Sequence, residues 1–531
     1  MVTAGAATAR LVPLLGVGGL VTWLIASNFK PDVPPLAITR IQAQTIAEQA
    51  LAERGIQLRP PWTIYVEVQG QPEKADRFVW QKGGTAAYLK LMGTYLRPPH
   101  FRIRFAVGQA TPEFEVYDIF VDGTGNVFRF NHSWAATRPP KGLVKKVSRD
   151  EARTIAHSVL WSNYNLDPTA LPEVSVFELE RPAYYDWKFV FEDAQSYPIK
   201  EGQARIAISI AGNEAVDTER YVQVPVRWFT GEIERSRSIL GYQLICGALT
   251  AMLVLIATVG AILRWVRVRG FPTRLFLGFL SGISVLNVVS FAAPPLGGFP
   301  VRSSESLNLG FYFGATTILA LLTSSVMALF AALIHAWDIR PIPLGRGKAL
   351  LWGLSLGALG AGFVEIVRMV SSPLRRLWPD YGPAGLFFPL VGTIFLSMAW
   401  YVFQVLFIMT VLMSANRLTE NWTRRIAVGI ALFILLGFTI TGTDETLQDW
   451  LVAGSMLGIL ISVVCIYVLQ YYVALVPLAL GTMSVLNMLK QGFYQAYPEA
   501  LPGAIIGAVL VSSLAYYWFQ ALARYGSKPT S

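Results

Sequence analysis

The chain of 531 residues is 53% hydrophobic and only 15% charged, with a mean hydropathy of +0.45, whereas soluble globular chains carry about a quarter charged residues. This excludes a soluble cytosolic enzyme and a disordered scaffold. The net charge of +10 reflects basic residues at the ends of apolar runs, which is the pattern of membrane anchoring rather than of nucleic-acid binding.

The charges are unevenly placed. Of the 78 Asp, Glu, Lys and Arg, 26 lie from residue 238 onward, about 9% of that part against about 22% of the first 237 residues. The first part therefore reads as a water-soluble domain and the second as a helical bundle in the lipid bilayer. Cys246 and Cys465 both lie in apolar runs, so no disulfide staples the soluble part and no cysteine-based metal site exists.

In chain order, Arg10 precedes an apolar run over 11–28 that is long and lacks a small-x-small cleavage site before Phe29. It reads as a retained anchor, residues 1–29, rather than a cleaved signal peptide. Residues 30–237 then contain an internal repeat. Thr39-Arg40-Ile41-Gln42-Ala43-Gln44-Thr45-Ile46-Ala47 returns 109 residues later as Ser148-Arg149-Asp150-Glu151-Ala152-Arg153-Thr154-Ile155-Ala156. Thr39 and Ser148 have hydroxyls that can accept from the free amides of a first helical turn. Ala43, Ile46 and Ala47, with Ala152, Ile155 and Ala156, supply an i, i+3, i+4 apolar stripe.

Strand patterns follow each helix. Val116 to Val121 runs into Asp122-Gly123-Thr124-Gly125-Asn126 and then Val127-Phe128-Arg129-Phe130, while Ala204 to Ile210 turns at Gly212-Asn213 into a run ending Tyr221-Val222-Gln223-Val224-Pro225. Gly and Asn provide the positive φ of tight hairpins. The expectation is a helix on an antiparallel sheet, twice, over 30–142 and 143–237, with Ile46 and Ile155 equivalent and buried. That unit resembles PepSY-like domains, which implies an extracytoplasmic α+β module that binds a peptide or a membrane-protein partner. His100, His132 and His157 lack metal-ligand spacing and read as ordinary histidines.

From 238 to 531 the apolar runs of about 20 residues needed to span a bilayer occur near 239–263, 275–294, 309–335, 349–367, 384–413, 426–442, 450–469, 472–489 and 502–523. With the anchor this makes about ten spans, the eighth and ninth divided near Pro477. Arg264, Arg267, Arg269 and Arg274, then Arg340, Arg346 and Lys348, then Arg417, Arg424 and Arg425, and finally Arg524 and Lys528 crowd alternate loops. By the positive-inside rule both termini are cytoplasmic and residues 30–237 lie outside. Asp444, Glu445 and Asp449 should share the side of residues 30–237. Arg368, Arg375 and Arg376 fall on that same side, against the rule.

Ionisable residues within the spans are functional candidates. His335 and Asp338 lie at the end of the fourth span, and Glu365 and Arg368, at i, i+3 near the end of the fifth, read as a salt-bridged pair. HExxH, GxxxxGK[ST] and CxxC are all missing, so the sequence implies no cofactor or metal.

The anchor, the paired outer units and the bundle, together with Asn287, Pro294-Pro295 and Ser306-Leu307-Asn308, resemble the CAAX protease and bacteriocin-processing family of intramembrane proteases. The resemblance implies an eight-helix endopeptidase core. It also implies a Glu-Glu-x-x-x-Arg motif, a Phe-x-x-x-His helix and a His-x-x-x-Asn/Asp helix, in which a carboxylate activates water while histidines steady the oxyanion. This chain departs from the motif. Phe403 and Gln404 stand in the Glu-Glu register, and the matching later helices contain no histidine. The expectation is a catalytically inactive relative that binds a peptide or partner, with a cavity around Gln404 lined by Phe, Leu, Thr and Gly. The alternatives are an active endopeptidase using relocated Glu365, Arg368 and His335, and an unrelated membrane sensor or transport protein. Glu365 and His335 should lie far apart, which disfavours relocated catalysis.

Overall fold

The computed structural model describes residues 6–525 apart from 32, 58–61, 108–113, 136–146, 182–184, 269, 298–308, 336–344, 371–377, 387, 419–425, 442–445 and 470–471. Asp338, Arg340, Arg375, Arg376, Arg424, Arg425, Asp444 and Glu445 lie outside the described residues.

An N-terminal helix α1 (Ala6–Ala26) leads to a sheet domain. Its first unit holds α2 (Arg40–Glu53), β1 (Thr63–Gln69), α3 (Lys74–Leu91), β2 (His100–Val107), β3 (Glu115–Asp122) and β4 (Val127–Trp134). The second holds α4 (Arg149–Tyr164), β5 (Glu173–Glu180), β6 (Tyr185–Glu192), β7 (Gln203–Ala211) and β8 (Glu214–Gln223). The strands form one antiparallel sheet in the order β1-β2-β3-β4-β8-β7-β6-β5. The second unit thus mirrors the first, and they join edge to edge where Asn131 of β4 pairs with Asp217 of β8.

Both helices start on the same device. Thr39 with Gln42, and Ser148 with Glu151, form reciprocal capping boxes that satisfy free amides at the helix N-terminus. The residues facing the sheet correspond at the 109-residue offset: Ala43, Ala47 and Leu51 in α2, and Ala152, Ala156 and Leu160 in α4, all buried. Ile46 and Ile155, expected to be buried, are half-exposed in both copies. The stripe is rotated so that small alanines let each helix approach the sheet and the isoleucines seal its margin. The hairpins turn as read: Asp122 Oδ1 accepts from the amides of Thr124 and Asn126 at 2.8 and 3.0 Å, with Gly125 at φ +95° and Gly212 at +57°. The helix α3, inserted between β1 and β2, has no counterpart among the described residues of the second unit.

The bundle comprises α5 (Val226–Val268), α6 (Thr273–Gly297), α7 (Leu309–His335), α8 (Arg346–Val370), α9 (Pro389–Leu418), α10 (Ile426–Ile440), α11 (Leu447–Val464), α12 (Val476–Tyr494) and α13 (Ala500–Tyr525). Every apolar run read from the sequence is thus helical. Among the described residues seven helices are long and apolar enough to cross a membrane, and three apolar segments are shorter: Arg10–Ala26, Thr273–Asn287 and Ala427–Ile440. The break between the eighth and ninth runs is a π-turn at Cys465–Leu469 followed by a 3-10 turn at Val473–Leu475. Pro477 sits in the first turn of α12, where its missing N–H costs nothing. The Tyr401 hydroxyl donates to the Pro477 carbonyl at 3.0 Å.

Two features fix the sheet domain to the bundle. The helix α5 begins at Val226, inside the residues read as soluble, and runs 43 residues without interruption. Its first turns are held against α3 by Arg77–Glu232 at 3.1 Å, by Trp228 Nε1 donating to Gln81 at 3.0 Å, and by Lys74 over the Phe229 ring at 4.0 Å. The connections α8–α9 and α12–α13 also enter the core of the first unit, where Tyr381, Ala384, Tyr497 and Ala500 pack with Leu36, Val66 and Phe101. Leu36 N donates to Ala496 O at 2.7 Å, and Trp378 Nε1 donates to the Tyr88 hydroxyl at 2.7 Å. The connection that follows Arg368 therefore touches the sheet domain. The start of α11, with Asp449, lies beside the sheet-proximal half of α5, where Tyr242 and Trp450 stack at 6.1 Å.

The helix α1 is a bundle member. A Cβ at Gly19 would strike the α8 backbone at Ala358 and Leu359, and one at Gly362 would strike the Gly19 carbonyl. Small residues bring the two backbones together, as in tightly associated membrane helices.

Candidate functional site

Helical periodicity assembles one crevice at the sheet-proximal end of the bundle. The stripe Thr393, Ser397, Trp400 and Gln404 of α9 faces Ser484, Asn487, Gln491 and Tyr494 of α12, because residues three and four apart share a helix face. Ala361, Val364, Glu365 and Arg368 of α8 and Trp23 of α1 close the deep part, about 190 Å³. Trp378, Asp380, Pro383, Asn28 and Gln495 rim the shallow part, about 530 Å³, directly under the sheet domain. The two parts share Arg368, Ser397, Trp400, Asn487 and Met488.

An ion-pair network lies in its wall. Lys490 Nζ donates to both carboxylate oxygens of Glu365 at 2.8 Å, and Arg368 Nη1 donates to Oε1 at 3.0 Å. The side chains of Lys490 and Glu365 are 7% and 6% exposed and that of Arg368 is 44% exposed. Glu365 and Lys490 each sit about 7 Å inside their helix ends, where an unpaired charge would be costly. The Glu365–Arg368 pair expected from spacing is present. Its third member, Lys490, was legible only as the first charge after a long neutral stretch.

The other candidates separate. Gln404 lines the deep part of the crevice beside Glu365. Phe403 turns away, stacking on Trp400 at 5.6 Å and Phe407 at 5.7 Å. His335 is exposed at the end of α7 and lines neither part of the crevice. From Ser324, bonded to Asn287 at 3.0 Å, α7 runs to Phe330 beside Phe407 at 6.4 Å. Phe407 is three residues beyond Gln404 and His335 five beyond Phe330, which places His335 about 12 Å or more past the crevice along the bundle. The expected cavity lining of Phe, Leu, Thr and Gly is corrected: Met483, Ser484, Asn487 and Met488 stand opposite Gln404, and Glu365 joins them. The wall carries charge because α8 brings Glu365 and Arg368 against Lys490 of α12.

The histidines of the sheet domain are structural. His100 is 2% exposed and bonds Pro98 O and Gln69, and burial lowers its pKa to about 4, so it is neutral. His132 lies between Glu115 and Glu214, 3.0 Å from each. Burial opposes its charge, but the two carboxylates outweigh it and raise its pKa. His157 is half-buried beside Phe191 at 5.8 Å. Among the described residues no three His, Cys, Asp or Glu side chains group as metal ligands.

No protein-family model, curated protein or solved structure matches this chain.

Proposed function

We propose that the protein is a ten-span receptor of a bacterial inner membrane, resembling the CAAX-type intramembrane proteases but catalytically inactive, with both termini cytoplasmic and the PepSY-like sheet domain outside. It binds an extended peptide or a membrane-protein segment in the crevice beneath that domain. The observation that carries this reading is the saturation of Glu365: both oxygens are engaged by Lys490 and Arg368. A carboxylate so neutralised is a poor general base, and no imidazole lines the crevice to assist it. Asn28, Asn487, Gln491 and Gln495 each offer both a donor and an acceptor, which is what a peptide backbone requires. Trp378, Trp400 and Tyr494 offer flat apolar surfaces to its side chains.

The test uses full-length protein in nanodiscs with a panel of fluorescent decapeptides amidated at the carboxy terminus. Binding by anisotropy should be lost in Asn487→Trp, which fills the crevice, and no peptide should be cleaved by either protein. Cleavage abolished by Glu365→Gln would establish the active-endopeptidase alternative instead.

A further inference from the structure

The sheet domain has a second cavity, beside the seam where the two units join. It measures about 340 Å³ and is lined by Glu73, Asp76, Tyr95, Arg97, Lys188 and Arg220, among others. An adjoining groove of about 390 Å³ shares Arg97, Glu219 and Arg220 with it and adds Tyr164 and Arg129.

The charges in this region are not equivalent. Arg97 is paired with Glu73 at 2.7 Å and with Glu219. Arg129 is paired with Asp217 at 2.8 Å and Glu219 at 3.0 Å. Arg220 has no such partner among the described residues. Its guanidinium lies over the Tyr164 ring at 4.1 Å and the Tyr95 ring at 5.6 Å, and its Nε is buried without a hydrogen bond. Tyr95 itself donates to Asp193, and that carboxylate acts on Arg220 through space without bonding it. Aromatic faces hold a guanidinium by its plane and leave its in-plane N–H fork available. The same cavity contains the opposite defect. Asp76 is 3% exposed; its Oδ2 accepts from Glu73 N at 2.7 Å and the Tyr88 hydroxyl lies beside the carboxyl, but Oδ1 makes no hydrogen bond among the described residues.

We infer that this cavity binds the carboxy-terminal end of a peptide or a free amino acid, with the α-carboxylate on Arg220 and an adjacent N–H on Asp76. Buried polar groups left unpaired are costly, and one ligand of this class satisfies both. A planar carboxylate matches the guanidinium fork. The ligand carries one negative charge rather than two, because Glu73 and Glu219 also line the site and, of the two cations without a carboxylate bond among the described residues, Arg220 is half-buried while Lys188 is exposed. This inference does not depend on the crevice reading.

The experiment is equilibrium binding to full-length protein in nanodiscs at pH 8, with fluorescently labelled tetra-alanine bearing a free carboxylate as the probe. The carboxyamide version should bind at least tenfold more weakly, a comparison that needs no variant. Arg220→Gln should weaken the free acid at least tenfold, with Arg220→Lys intermediate. Free alanine that competes assigns the site to amino acids, and free alanine that does not assigns it to peptide ends. Equal binding of acid and amide, stronger competition by inorganic phosphate than by acetate, or a loss under twofold in a folded Arg220→Gln overturns the inference.

Discussion

Replacing Lys490 by Met should destabilise the protein by about 3 kcal/mol. Loss of one member of a buried ion pair costs about 3–5 kcal/mol, because the other charge stays buried without its partner. Here the remaining charge is Glu365, whose side chain is 6% exposed, and Arg368 still reaches one of its oxygens from a side chain 44% exposed. Solvent weakens that residual contact, which places the cost at the lower end of the range. Glu365→Met should cost a similar amount by stranding Lys490. The double variant should cost less than either single one, since two methionines fill the volume without buried charge. The expected coupling is about 2 kcal/mol or more, against about 0.5 kcal/mol for independent sites. Reversible unfolding in mixed micelles, followed by tryptophan fluorescence, measures all four corners of the cycle. Strictly additive single effects would refute the reasoning, because they would mean that the two side chains do not meet in a dry environment.

Burial raises the Asp76 carboxyl from 3.8 to about 7, so the folded state binds the extra proton between those values. Stability should therefore fall as pH rises from about 4 to 7, by up to about 4 kcal/mol, and Asp76→Asn should remove that slope; a wild-type-minus-variant difference that is flat from pH 4 to 8 would contradict it. Thr39→Ala and Ser148→Ala should each cost about 1 kcal/mol and by similar amounts, because both hydroxyls complete the same capping box; unequal losses in denaturant titrations would show that the helix starts are not equivalent. Gly19→Leu should displace α1 from α8, seen as faster proteolysis of the N-terminal helix in proteoliposomes, whereas Gly18→Leu, where a Cβ meets nothing within 4 Å, should leave it in place.

Local signals carried much of this architecture. Caps, glycine hairpins and apolar run length are properties of a few neighbouring residues, so Thr39, Ser148, Gly125 and the helical runs were legible. The strands β1, β2, β5 and β6 were not read; β5, for one, is an edge strand whose Phe177 and Leu179 remain exposed, and its alternation resembles a polar loop. Missing too was α3, which carries Gly83-Gly84 and a non-helical kink at Gly84. The crevice was only half legible. Glu365 and Arg368 are three residues apart, but Lys490 is 125 residues away, and nothing local links it to them. Arg220 was invisible for the same reason: its lack of a bonded carboxylate partner exists only in three dimensions.

The uninterrupted α5 has a mechanical consequence. At 43 residues it is about 65 Å long, clamped to α3 at one end and continuing through the bundle at the other. A rod anchored in this way cannot let the sheet domain swivel freely on a hinge. If cargo on the domain tilted it by about 5°, the far tip of the rod would sweep about 5 Å, on the scale of one helical turn. The opposite membrane face would then register the load as a displacement, with no small molecule passing between the two sides.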